Sequence, residues 1–386
     1  MDRLNGLQLN RATLERQLLL HRAARSARQA IEHLGGLQAQ APLAPYVGLW
    51  TRLARFGHED LKDLLTEHIV VRAHLMRNTV HLVTAADFVR FRPLFQPIME
   101  RALAGNFGRN LVGVDLAELR AAAAALLAET PLTRGQLAER LSPRWPDHDP
   151  ASLAYAATHL LHLVQVPPRG LWGHSGQATW FLASAWLKGA WLYGLASPAP
   201  DPAPDPVPDL APAADTALEQ LILRYLAAYG PATVRDIQAW SGLSRLREVT
   251  DRLGARLRTF TGPGITELFD LPDAPRPDEN VPAPPRFLPE YDNLLLSFAD
   301  RSRVIRGHRP VPLPAGHGAT TGTLLVDGFW AADWTITRGR DRAVLEVRPF
   351  GSLGVAGQDA VGAEGSRLLE FAAPAAAHDV RFCTAS

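Results

Sequence analysis

Apolar residues along the first hundred positions recur at helical spacing before giving way to alternation. Leu14 and Leu18 mark one helix, and Ala27, Ile31 and Leu34 mark a second that Gly35-Gly36 stops. Leu61, Leu64 and Leu65 mark a third helix, opened near His58-Glu59-Asp60. In IVVRAHLMRNTVHLVT, residues 69–84, β-branched and polar residues interchange as they do in a hairpin. Three short helices ending in a hairpin describe a winged helix, a relative of the helix-turn-helix with a β wing.

The pattern recurs twice without obvious identity. An alanine-rich helix at 115–129, a capped step at Thr133-Arg134-Gly135-Gln136-Leu137 and a helix at 152–163 lead into VQVPPRGLWG, whose Pro-Pro-Arg-Gly tip supplies a wing turn. Helices at 216–229, 234–241 and 246–253 then close on LRTFTGPGITELFDL, with Gly262-Pro263-Gly264 as the turn of a hairpin. Alternating proline in SPAPDPAPDPVPDLAPAAD makes 197–215 a stiff, extended linker. After a second proline-rich stretch at 271–287, β signals dominate TGTLLVDGFWAADWTITRGRDRAVLEVRPF, which predicts a small sheet or half-barrel. The expected class is α+β: three tandem winged-helix modules at 1–110, 111–196 and 216–271, followed by a β-rich region at 272–386.

Composition narrows the setting. A 386-residue chain with 47% hydrophobic and 20% charged residues can bury two or three cores and is not disordered in character. No apolar run is long enough to span a bilayer, since Lys188 splits the most apolar stretch, 180–196. The N-terminus lacks the order of a secretory leader, so the expectation is a cytoplasmic protein with no membrane contact. The single cysteine, Cys383, rules out an internal disulfide, a four-cysteine zinc site and a cysteine-held iron–sulfur cluster. The net charge of +1 hides a gradient of +6 over 1–110, zero over 111–200 and −5 beyond. All but two of the 40 basic residues are arginine, which codon bias in a GC-rich genome explains as a global feature; the local +6 hints at an anionic partner.

The sharpest candidate for chemistry is Gly35-Gly36-Leu37-Gln38-Ala39-Gln40. If this segment is extended, Gln38 and Gln40 point the same way, and two amides can hold one water through acceptor and donors together. A solvated loop is the usual meaning of such a pair. The weight changes with five ordered blocks: LNRATLERQLLLHR, GGLQAQAPLAPYVGLWTRL, VRAHLMRNTVHLVTAADF, LPEYDNLLLSFADRSRVI and LLVDGFWAADW. Together they resemble the AlkZ/YcaQ-like family of winged-helix DNA glycosylases over nearly the whole chain. The resemblance implies tandem winged helices with a C-terminal β region and double-stranded DNA containing alkylated purines as substrate. It also implies a monomer that is nucleoid-associated when bound to DNA, and one setting for it, because one branch of the family protects makers of DNA-alkylating antibiotics. The family signature is Gln–aliphatic–Gln, or Gln–aliphatic–Asp in another branch; here it falls on Gln38 and Gln40, with Ala39 small for the middle position. These two are the expected catalytic residues of a water-using enzyme that needs no cofactor and no metal.

Arg72, His74, Arg77, Asn78 and His81 lie on the first hairpin, where some would face DNA and others turn away; Arg77 is the leading candidate, with His81 beside it. Tyr291, Asp292 and Asn293, followed by Arg301, Arg303 and Arg306, form a second polar, basic block, read either as a capped turn with surface arginines or as DNA contacts through Asn293, Arg301 and Arg303. The resemblance suggests histidine where this chain has Phe298. His159 and His162 read as a partly buried helix face rather than metal ligands. GSLGVAG at 351–357 lacks the strand–helix setting of a phosphate loop. Lys62 and Lys188, the only lysines, make a Schiff-base lyase step an unattractive reading. The competing function is a non-catalytic winged-helix DNA-binding protein, a regulator or damage sensor, which would tolerate alanine at both glutamines.

Overall fold

The computed structural model describes residues 2–174, 176–187, 214–307 and 321–383. The expected linker therefore lies outside the described residues, apart from its last two, which open the helix Ala214–Tyr229. The fold is mixed α+β.

Local chemistry sets most helix starts. Gly6–Arg16, Ala27–His33 and Arg134–Leu141 begin behind capping boxes in which Asn5, Ser26 and Thr133 accept from a backbone N–H that a glutamine three residues on repays. Asp115 and Asp149 cap Leu116–Glu129 and Pro150–Leu160. Helices Ala44–Trp50 and His58–Thr66 precede the first hairpin, Val70–His74 with Val80–Thr84. Ala85–Phe91 and Gln96–Phe107, for which the sequence carried no expectation, follow it. Further on, Val234–Ser241 and Arg247–Leu253 lead to a hairpin of Arg258–Gly262 with Ile265–Asp270.

The first two hairpins do not stand apart as separate wings. Arg72 pairs with Gln165, which joins Val70–His74 to Leu163–Val166. One six-stranded sheet results, in the order Leu37–Gln38, Val80–Thr84, Val70–His74, Leu163–Val166, Thr179–Leu182, Leu132–Thr133. The chain's start is also shared: Asp2–Arg3 lies parallel to Arg258–Gly262, so the N-terminus completes the sheet of the third hairpin.

The C-terminal region is a five-stranded sheet of Arg286–Leu288, Gly322–Val326, Phe329–Arg338, Arg342–Pro349 and Ala377–Phe382. Its last pair is parallel and bridged by the 19-residue helix Gly354–Ala372, which was not anticipated. GSLGVAG thus does join a strand to a helix, contrary to the reading from sequence. Phe371 on this helix stacks on Trp50 and meets Phe56 and His58, seating the region on the first module.

Cores cross these boundaries. One apolar cluster unites Leu14, Val71, Met76, Tyr225, Trp240, Leu294 and Trp330; another unites Ile31, Ala39, Leu82, Leu119 and Trp180. Polar ties reinforce them. Arg16 grips Asp270 at 2.5 and 2.9 Å, both side chains fully buried, and Asn10 donates to the carbonyls of Arg303 and Gly328.

Candidate active site

Gly36 places the glutamine strand. Its φ is +98°, and a Cβ there would sit 2.6 Å from Val83 Cγ1 and 3.1 Å from the Leu82 carbonyl oxygen. Only a glycine lets the chain leave the helix Ala27–His33 this close to the hairpin. The next residues then pair with it, Leu37 opposite Leu82 and Gln38 opposite His81, and Ala39 N–H donates to the Val80 carbonyl at 2.8 Å.

Alternation does the rest. Ala39 is wholly buried in the core, whereas the side chains of Gln38 and Gln40 converge on the hairpin tip. Gln38 is buried; its Oε1 lies 3.2 Å from Thr79 Oγ1 and 3.4 Å from Arg77 Nη2. The Thr79 hydroxyl has one proton to divide between that oxygen and the Met76 carbonyl, 3.1 Å away. Gln40 is exposed, and its Oε1 accepts one long bond, 3.4 Å, from Val80 N–H.

Arg77 is the hub. It and Asn78 have φ values of 54° and 56°, an unusual consecutive pair of left-handed residues that turns the Arg77 side chain inward. Its guanidinium donates to the Trp240 carbonyl, to Gln38 and, at 3.2 Å, to Asn293 Oδ1. Burial, with a smaller push from Arg301, lowers its pKa to about 10, so it stays cationic at neutral pH among neutral acceptors. Asn78 turns the other way, donating to His159 Nε2 at 3.0 Å.

His81 is fully buried, with Nδ1 3.0 Å from the Thr79 carbonyl. Burial, then the Arg77 charge, pushes its pKa down to about 3, which keeps the ring neutral. Asn293 opens a short 3-10 turn and donates to the Gly36 carbonyl at 3.4 Å. Asp292 holds that turn: it accepts from Leu294 N–H at 3.0 Å and takes both prongs of Arg52 at 2.8 and 2.9 Å in a buried ion pair.

The geometry therefore gathers Gln38, Gln40, Arg77, His81 and Asn293 in one place, with Trp240 closing it from the third hairpin's region. A family model described as DNA glycosylase AlkZ-like matches residues 31–371, a span that includes all of these. The chain belongs to the AlkZ-like DNA glycosylase family. It is a DNA glycosylase, and its substrate is DNA. Its fold is similar to that of the Streptomyces sahachiroi DNA glycosylase AlkZ, at a TM-score of 0.73 and 21% identity, with 99% of this chain and 100% of that one covered. No curated protein sequence matches the chain.

In this glycosylase the expected DNA-contacting residues mostly face inward. Arg77, His81 and Asn293 are committed to each other and to backbone, as above. Arg303 is buried: it donates to Thr13 Oγ1 at 3.2 Å and to the Pro231 carbonyl at 2.9 Å, and its guanidinium lies 4.1 Å from the ring centre of Phe298. That contact also accounts for Phe298, which is wholly buried between Arg303 and Tyr229. Arg301 differs. It is half-buried, and its Nε has no hydrogen-bond partner among the described residues.

Sequence reasoning overlooked Arg52 and the Trp240 carbonyl. A lone arginine ending the apolar run YVGLWTRL was the available signal for Arg52; a backbone carbonyl leaves none. His159 is part of a buried aromatic group, stacked on Tyr155 and 5.7 Å from His74. No helix among the described residues is long and apolar enough to cross a membrane.

Proposed function

We propose that this glycosylase hydrolyses the N-glycosidic bond of N7-alkylated purines in duplex DNA, bulky and crosslinked adducts included, with a water positioned by Gln38 and Gln40. The observation that carries the reading is the convergence of two uncharged amides on one hairpin turn, beside a cation and a histidine held neutral.

The chemistry suits a cationic leaving group. A purine alkylated at N7 departs neutral, so the bond to C1′ breaks with little need for a general acid. What is required is a placed nucleophile and a suitable field at the sugar. The Oε1 of Gln38 is occupied by Arg77 and Thr79, which leaves its Nε2 hydrogens to donate to the water's oxygen. Gln40, with one long bond to its Oε1, keeps a lone pair to accept a water proton. The water's remaining lone pair then attacks C1′; its proton passes to solvent, and the products are an abasic sugar and the free alkylpurine. An unmodified purine, a poor leaving group without protonation, is left uncut.

The three helix–hairpin units are read as winged helices acting as a clamp. The first approaches DNA by the face that carries Gln40, from the minor groove, where C1′ lies. A base tied to both strands cannot enter a tight pocket, which fits attack without deep flipping. Arg301 keeps its proposed DNA contact, whereas Arg77, His81, Asn293 and Arg303 support the site from within.

The test is a gel-based excision assay on duplexes carrying N7-alkylguanine lesions of graded size, under single-turnover conditions. Wild type should generate abasic sites, and Gln38→Ala and Gln40→Ala should each lose about 100-fold or more in rate with DNA binding intact. Tight binding without excision of any lesion would sink the substrate assignment.

A further inference from the structure

Arg72 is a buried cation without an anion. The residue is 2% exposed, and no carboxylate among the described residues forms an ion pair with it. Two of its nitrogens donate to main-chain carbonyls instead, and its buried Nε has no hydrogen-bond partner among the described residues. Nη2 donates to Ala39 at 2.9 Å and Nη1 to Arg169 at 3.1 Å. Ala39 is the residue between the two glutamines, and Arg169 sits in the turn 167–170 of the second hairpin. That turn is wrapped around the guanidinium: Gly170 has φ +96°, and a Cβ there would lie 2.8 Å from Arg72 Cδ and Nη1. Just past the turn, the Tyr46 hydroxyl accepts from Trp172 N–H at 3.2 Å, so the chain that leaves it is pinned as well.

Stability alone is a weak reason for such an arrangement. Taking a guanidinium out of water is unfavourable, and here no carboxylate offsets that cost. The useful consequence is geometric. Ala39 N–H is fixed to Val80 at 2.8 Å and its carbonyl to Arg72 at 2.9 Å, so the two peptide planes that flank Ala39 are each held by one bond. Releasing the second plane, Ala39–Gln40, would let the Gln40 side chain swing away from Gln38.

We infer that Arg72 is a positioning residue for excision: it holds the Ala39–Gln40 peptide so that both amides meet on one water, and it ties that peptide to the turn 167–170. The inference rests on the Gln38/Gln40 reading above. Through this tie, the second hairpin and the glutamine strand move as one body.

Two measurements on the full-length protein test it. In single-turnover excision, Arg72→Met should lose about tenfold or more in rate, while DNA affinity stays within about threefold and the melting temperature falls only modestly, as two carbonyls lose their donor. Arg72→Lys, which can reach only one carbonyl, should fall between the two. A rate within threefold of wild type overturns the proposal. So does a rate that falls in step with affinity and melting temperature, because that is general structural damage. If Arg72→Met does not fold, Arg72→Lys carries the same comparison.

Hydrogen–deuterium exchange supplies the second arm, independent of activity. Arg72→Met should speed exchange in residues 36–42 and 163–172 and leave the rest of the chain unchanged. Unaltered exchange there overturns the clamp. If wild type cuts no lesion yet exchange responds as expected, the substrate reading fails and the clamp stands.

Discussion

Acidification from pH 7.5 to 5 protonates histidines in the unfolded chain that the folded protein holds neutral. Burial lowers His74 and His81 to about 3 and His159 to about 4, against an ordinary value near 6.5. A group whose folded pKa is depressed in this way binds fewer protons folded than unfolded, so stability falls as pH drops through the window between the two values. At pH 5 each of the three histidines removes about 2 kcal/mol, or about 6 kcal/mol together. That is comparable to the whole stability of many domains, about 5–15 kcal/mol. His33 and His58 shift in the same direction. Carboxylates that burial raises, such as Asp87 and Glu290, act oppositely. They gain stability as pH falls through their raised values and so offset part of the loss from the histidines. Urea melts followed by circular dichroism at pH 7.5, 6.5, 5.5 and 5 would read the effect as a midpoint sliding steadily downward. A midpoint that stays flat to pH 5 would refute the reasoning and mean that these rings are hydrated or paired in solution.

Gly36→Ala forces a left-handed backbone on an L-residue, about 1–2 kcal/mol, and drives a methyl into Val83 and Leu82, about 1–3 kcal/mol more. Excision should fall with stability, and crystal or exchange data should show the strand Leu37–Gln38 displaced; a variant as stable and active as wild type would contradict the close approach. Asp292→Asn strands the buried Arg52 guanidinium and should cost about 3–5 kcal/mol in a urea melt. Arg52→Met together with Asp292→Leu should recover much of that loss, whereas no recovery would mean the pair matters through some other contact.

Helices with a clear apolar stripe and a cap were legible in the sequence, and so were hairpins built from β-branched runs. Val234–Ser241 was read to the residue, because Thr233 and Asp236 announce its start. The helix Gly354–Ala372 was not, since four glycines hide its periodicity and only packing against its sheet defines it. The Gln38/Gln40 pair could be named because both residues are local to one short segment. Its surroundings were named only in part: Arg77, His81 and Asn293 stood out as DNA contacts, not as neighbours of the pair. Arg77, Trp240 and Asn293 meet only through contacts between distant parts of the chain, and nothing in a hairpin's own alternation says that its polar tip will be covered. The same long-range packing turned expected surface arginines into interior struts, Arg303 above all. Phe298, an oddity beside the family pattern, became intelligible once its ring was found under that guanidinium.

The sharing of a sheet between the chain's first residues and the distant strand Arg258–Gly262 bears on how the protein is made. Asp2–Arg3 needs Arg258–Gly262 as a neighbour, Arg16 needs Asp270, and Asn10 needs the carbonyls of Arg303 and Gly328. A ribosome delivers those partners hundreds of residues after the first helix has emerged. The nascent N-terminal part thus waits, with its glutamine strand still lacking Asn293 and Trp240, until most of the polypeptide is outside the tunnel. Under the proposed mechanism, a truncated product released early would carry both glutamines and lack the framework that aims them, so incomplete synthesis would yield an idle fragment rather than an unrestrained base-excising one.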